Sequence, residues 1–503
     1  VVVCALLSLA RCQSGPNATG GANGENDAPS EQDGATLPND DAGQADAGST
    51  PSDGGTPSRD SGQPSDGGVH GDGGVHGDGG VQGDGGVQGD GSTARDASPP
   101  APTFLPTKNA LTADQLAVIV NLDDPVSVAV GAYYQTKRNI PPANVISVHI
   151  PTGTTTITSA QFATVSTAVA AALPPGIEAY ALTFTQPYDV QGMSITSAFA
   201  FGFDTKWTNT LGGCQPTAES PYYATDDQKP FEDLAMRPAM MLAGSTQADV
   251  LALIDRGVAS DDTHPKGTDY MLITTDPARS VRAYEFEELA EMWDPATGVT
   301  ADVIDNTDGG GLDYITGKTD VLFYFTGLAS VPDITMNTYI PGAMADHLTS
   351  YGGQVPTSGQ MSAAAWLAAG ATASFGTVVE PCNFTEKFPD PSITVPRYYQ
   401  GATAMEAYWT SVEWPGEGLF IGEPLANPWK SPVVTFSGDV FTIETTALDP
   451  TVQYALEGAN AESGPFTTVQ TGISVAKYDV AKVTVHAPTY AFYRLVPAAA
   501  GDE

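Results

Sequence analysis

"LAVIVNLDDPVSVAVGAYYQTKRNIPPANVISVHI", residues 116–150, decides the fold class. "LAVIVN" (116–121) is a short unbroken apolar run of the kind a strand buried on both faces needs. Residues 125–139 carry apolar side chains at helical spacing. Pro125 suits a first helical position, where its missing N–H costs nothing, and Asp123 and Asp124 stand ready as caps. "NVISVHI" (144–150) reads as a second strand. Strand, helix, strand predicts a parallel sheet with crossover helices.

The alternation continues outward. Residues 158–173 read as a helix and "IEAYALTF" (177–184) as a strand. After a long excursion (185–235), strands are expected at 238–243, 269–275, 320–327 and 371–380. Helices are expected at 245–259, 282–293, 342–353, 359–370 and 401–412. The expectation is an α/β domain over 106–430: one open, mostly parallel sheet of about six strands with helices on both faces. Beyond Pro432 the helical period gives way to short alternating runs between turn residues. Residues 431–503 therefore read as a small C-terminal β-sandwich of about six strands.

Residues 13–105 are poor in large apolar residues and rich in Gly, Asp, Ser and Pro. They include the hexapeptide repeat "GGVHGDGGVHGDGGVQGDGGVQGD" (67–90). One apolar residue in six cannot offset chain entropy, so this segment is expected to be a disordered, acidic tether. The opening "VVVCALLSLARCQSG" reads as a bacterial lipoprotein-type signal (1–12). Cys12 is the lipid-acceptor candidate, and Arg11 departs from the small residue expected before it.

The chain has 503 residues and a net charge of −39, from 20 basic and 59 acidic residues. Such a balance repels nucleic acid and anionic lipid, so neither is expected as a partner beyond a lipid anchor. No CxxC, HExxH, P-loop, GxGxxG or GxSxG motif occurs, and no cofactor or metal is expected. Cys214 and Cys382 form a plausible disulfide pair in an exported chain.

Chemistry in an open parallel sheet belongs beyond the carboxyl ends of its strands. That rule nominates Gln186, Tyr188 and Asp189 in "FTQPYD", Asp276 and Arg279 in "TTDPAR", and Glu380, Cys382 and Asn383 in "VVEPCN". A cysteine nucleophile needs a base, and His347 is the best placed histidine. Ser350 lies three residues on, on the same face if 342–353 is helical. Glu380 with Asp189 is a paired-carboxylate alternative. The competing structural readings are a Cys214–Cys382 bridge, a packing role for His347, and a loop at 382–391 anchored by Phe384 and Phe388, with Glu386 and Lys387 facing solvent.

The blocks "VIVNLDDPVSVAVGAYYQTKRNIPPANV", "GAMADHLTSYGG", "GQMSAAAWLAAGATASFGTVVEPCNFTEKFPDP" and "ATAMEAYWTSVEWPGEGLFIGEPLANPW" resemble an uncharacterised family of exported bacterial proteins associated with exosortase-type sorting systems. That family is distantly similar to the gingipain-like cysteine peptidases, which implies a caspase-like fold. Gingipain-like enzymes carry His-Gly after one strand and a catalytic Cys after the next. This chain has Gly327-Leu328-Ala329 and Thr349-Ser350-Tyr351 at the corresponding places, so neither catalytic residue carries over. The resemblance implies an exported, lipid-anchored envelope protein whose peptidase-like domain is a non-catalytic or relic binding and assembly module. Its partner would be another envelope or extracellular protein. The alternative is a hydrolase with a displaced site around His347, Ser350, Glu380 and Cys382.

Overall fold

The computed structural model describes residues 100–106, 110–209, 214–293, 297–449, 451–476 and 479–498, all within one compact unit. The leader, Cys12 and the tether up to residue 99 lie outside the described residues.

The opening unit forms as its sequence dictates. Strand β1 (Leu116–Asn121) is buried at every position. Helix α1 (Pro125–Arg138) starts where the Asp124 carboxylate accepts the Val126 N–H, and it stops at Asn139, which takes a left-handed conformation with φ 53°. A Cβ built on Gly131 of α1 would lie 2.6 Å from Val120 Cγ2, so the missing side chain lets the helix lie close on the strand. Strand β2 (Val145–Val148) returns parallel to β1.

Eight further strands complete the sheet. They are β3 (Ala179–Leu182), β4 (Ala239–Met241), β5 (Gly267–Ile273), β6 (Val299–Asp305), β7 (Val321–Gly327), β8 (Tyr339–Leu348), β9 (Ala373–Thr377) and β10 (Gly418–Gly422). The order across the sheet is β6-β5-β7-β8-β9-β10-β4-β3-β1-β2. Eight of the nine pairings are parallel, and only β9 and β10 run antiparallel, Ala373 opposite Gly422 and Thr377 opposite Gly418. The sheet is therefore two parallel halves joined at one antiparallel seam. Their carboxyl ends open on opposite edges.

Helices cover both faces. On one, α1, α5 (Gln247–Ser260), α6 (Ala283–Met292), α8 (Pro391–Tyr399) and α9 (Ala404–Thr410) contribute to a single apolar layer that crosses the seam. On the other, α2 (Ser159–Ala172) and α3 (Ile195–Phe201) cover the β1–β4 half, while Trp366 of α7 (Ala364–Ala369) packs under the β5–β9 half. A short helix, α4 (Pro230–Leu234), precedes β4.

Three expectations change. Among the described residues the sheet has ten strands, not about six, with β6, β8 and β10 outside the expected strands. Residues 342–353 are not helical: they hold the second half of β8 and the turn after it. Ala, Met and Leu favour a helix locally, but β8 sits between β7 and β9, and Ala343 to Leu348 are all buried. Central position overrides propensity there. Finally, the end of the expected tether overlaps a short strand, Thr103–Phe104.

The C-terminal region holds six strands in two small sheets. One contains β11 (Val433–Ser437), β12 (Val440–Thr445) and β15 (Ala481–His486). The other contains β13 (Tyr454–Ala459), β14 (Thr467–Ile473) and β16 (Phe492–Pro497), with Thr103–Phe104 added in parallel to β16. Strict alternation along β12 points Phe441 and Ile443 inward to meet Leu456, Tyr493 and Leu495 in one apolar cluster.

Candidate functional site

The loop after β9 was the leading nominee. Cys382 is bonded to Cys214, with Cα atoms 5.7 Å apart across 168 residues of sequence. Its backbone takes φ 56°, and its N–H is capped by Glu380 Oε1 at 2.9 Å. Glu380 is otherwise exposed. Neither residue has the chemistry expected of a nucleophile or base: a disulfide sulfur holds no thiolate to attack with, and this carboxylate closes its own turn. Lys387, expected at the surface, is buried and pairs with buried Glu417 at 2.7 Å. That pair ties the loop to the start of β10.

His347 is 1 % exposed within β8. Its Nδ1 accepts the indole N–H of Trp366 at 2.9 Å. Burial, aided by the positive charges of Arg282 and Arg279, pushes the ring pKa down to about 3. Such an imidazole is too weak a base to take a proton from a serine or a thiol near neutral pH. Because 342–353 is strand and turn, Ser350 has no helical face to share with His347. Among the described residues no hydrogen bond joins His347 to Ser350, Glu380 or Cys382. Asp189 of the paired-carboxylate alternative accepts from Gly192 N–H at 2.7 Å in its own turn and from Thr156 Oγ1 at 2.8 Å on a neighbouring strand, and among the described residues no hydrogen bond joins it to Glu380.

Strand alternation sends Asp346 to the opposite face from His347. There Asp346 pairs with Arg282 at 2.8 Å, and both are 1 % exposed in their side chains. Arg282 also donates to the carbonyls of Pro389 (3.0 Å) and Thr326 (2.9 Å). Asp269 of β5 lies on the same face without a hydrogen-bond partner among the described residues. Burial, reinforced by the charge of Asp346, raises its pKa well above the carboxylate range. Glu285 of α6 is pushed up to about 9 by burial and by the charge of Asp390. These acids are buried, which makes them structural groups rather than groups a substrate meets.

The strand-end rule does find one polar cluster open to solvent, at the carboxyl edge of β5, β7 and β8. The Asp276 carboxylate caps its own turn, accepting the N–H groups of Ala278 (3.1 Å) and Arg279 (3.2 Å). It also pairs with Arg279 Nη1 at 2.6 Å, each side chain about a quarter exposed (27 % and 26 %). From there the guanidinium reaches Thr349 Oγ1 and Gln360 Oε1, both at 3.4 Å. Thr349 donates to Gln360 Oε1. Asp276 and Arg279 are nominees of the sequence; Thr349 and Gln360 are additions of the fold. The cluster offers hydrogen bonds to a polar ligand. It does not activate Thr349, because an amide oxygen accepts a hydrogen bond but does not take the proton away. Among the described residues no group of three or more His, Cys, Asp and Glu is placed to hold a metal.

No family model matches the chain and no curated protein matches it. A solved structure described as "Structure of Protease" aligns at 10 % identity over 78 % of this chain and 98 % of that one, with a TM-score of 0.33. At that score the likeness carries no weight for mechanism.

Proposed function

We propose that this chain is an exported envelope protein whose α/β domain, a relic of a caspase-like, peptidase-type fold, serves as a non-catalytic binding or assembly module. In this reading residues 1–12 are a lipoprotein signal with Cys12 as anchor, 13–105 a tether, and the C-terminal sheets a β-sandwich that packs on the domain. The partner is a protein of the envelope or the extracellular space. One observation carries the reading: the candidate thiol and its candidate base are both engaged elsewhere, Cys382 with Cys214 and His347 with Trp366. The same commitments speak against the displaced-site hydrolase.

The test uses the full chain, unreduced, with a pool of fluorogenic peptides and with thiol- and serine-directed active-site probes. No turnover is expected, and a thiol probe should label Cys382 only after reduction. Turnover that is lost in His347→Gln with unchanged melting temperature, or in Cys382→Ser at a temperature where that variant is still folded, would sink the proposal.

A further inference from the structure

A concavity lies where α8 meets the C-terminal sheets. Its volume is about 490 Å³, within the range of small-molecule sites. One wall is α8, the second the segment around Asp226, and the third the turn from Ala447 to Tyr454. Neither peptide chemistry at Cys382 nor the Asp276–Arg279 cluster involves any of these residues.

Its charges are arranged unusually. Arg397 of α8 lines the cavity; its Nε is buried and unpartnered, and among the described residues no ion pair reaches its guanidinium. Opposite it, the carboxyl groups of Asp226 and Asp449 face one another within hydrogen-bonding reach. Asp449 is fixed in place by the N–H and hydroxyl of Thr451, at 2.7 and 2.6 Å. Partial burial acts to raise its pKa, yet the Thr451 hydrogen bonds, the contact with Asp226 and the positive charge of Arg397 across the cavity leave it lowered. Two carboxylates this close call for a cation, and an unpaired guanidinium calls for a carboxylate. An anion alone would meet both aspartates and the field of a chain of charge −39. A cation alone would meet Arg397.

We infer that this cleft binds a small zwitterion, an α-amino acid or short peptide with free ends, its carboxylate on Arg397 and its ammonium between Asp226 and Asp449. Ile393, Pro396 and Leu448 supply the apolar floor for its side chains. The inference is independent of whether the α/β domain is catalytically silent.

Titration calorimetry on the full chain tests it with three probes: alanyl-alanine, its N-acetyl derivative and its C-terminal amide. Free alanyl-alanine is expected to bind, and each blocked form to bind at least about tenfold more weakly, the loss of one charge-assisted hydrogen bond. Arg397→Gln should weaken the free dipeptide by a similar factor, and Asp226→Asn, at an exposed position, should do so without touching α8. Melting temperatures establish that both variants fold. Absence of binding by the free dipeptide at millimolar concentration overturns the inference. Equal binding of the blocked forms, or full binding by a folded Arg397→Gln, overturns it too.

Discussion

At Gly327 the chain leaves β7 with no room for a side chain: a Cβ there would lie 1.9 Å from the carbonyl oxygen of Arg279. The obstacle is backbone and cannot swing aside as a side chain could, and Gly327 itself is fixed by Thr274 Oγ1 donating to its carbonyl at 2.8 Å. Gly327→Ala is expected to cost about 3 kcal/mol, the scale of an overpacked core, as read by urea unfolding. A change below about 0.5 kcal/mol would show that the strand end yields. The same position explains what the sequence showed of this edge. Asp276 and Arg279 stand next to the end of an evident strand, so the strand-end rule reaches them. Thr349 and Gln360 lie 70 and 81 residues from Arg279 and meet it only through the fold.

Legibility at the level of elements follows burial. Strands β1, β3, β5, β7 and β9 are built around buried apolar residues, which makes them readable directly. Strand β6, "VTADVID", is a sheet edge with mostly half-buried residues, and β10, "GLFIG", is five residues with a glycine at each end, so neither announces itself. The long connection from β9 to β10 carries α8 and α9, and nothing in its composition fixes the reversal at the seam. Helix α6 adds a different kind of element. Its Glu285 has a folded-state pKa raised to about 9 against an ordinary 4.5. A raised carboxyl pKa stabilises the fold below the unfolded value and loses that contribution as pH climbs toward the folded one. Between about pH 4.5 and 9 the slope is about 1.4 kcal/mol per unit. Glu285→Gln keeps the shape without the titration. It is expected to match the parent at pH 4 and to exceed it by on the order of 2–4 kcal/mol at pH 8. Parallel stability curves across that range would show that Glu285 stays ionised.

For the molecule as a whole, the Cys214–Cys382 bridge joins two segments 168 residues apart, one in the excursion before β4 and one after β9. Closing so long a loop restricts the unfolded chain most, and removing it is expected to cost about 2–5 kcal/mol. Thermal unfolding of Cys214→Ser beside the reduced and oxidised parent measures this. The reduced parent and the variant should melt together, well below the oxidised form, with far-ultraviolet dichroism unchanged before melting. An unchanged melting temperature would mean that the bridge only decorates a loop already held by Lys387 and Glu417.

The strand Thr103–Phe104 gives the folded unit a mechanical entry point. This short ribbon lies near the start of the described residues, and its flanks are held by Thr103 N–H to Ala491 O at 2.8 Å and Leu105 N–H to Tyr493 O at 2.7 Å. A pull applied at Thr103 would therefore be felt first by β16 and the C-terminal sheets, not by the ten-stranded sheet. A two-residue ribbon peels before a seven-residue one, so Thr103–Phe104 would come away while the pairings of the ten-stranded sheet stay intact.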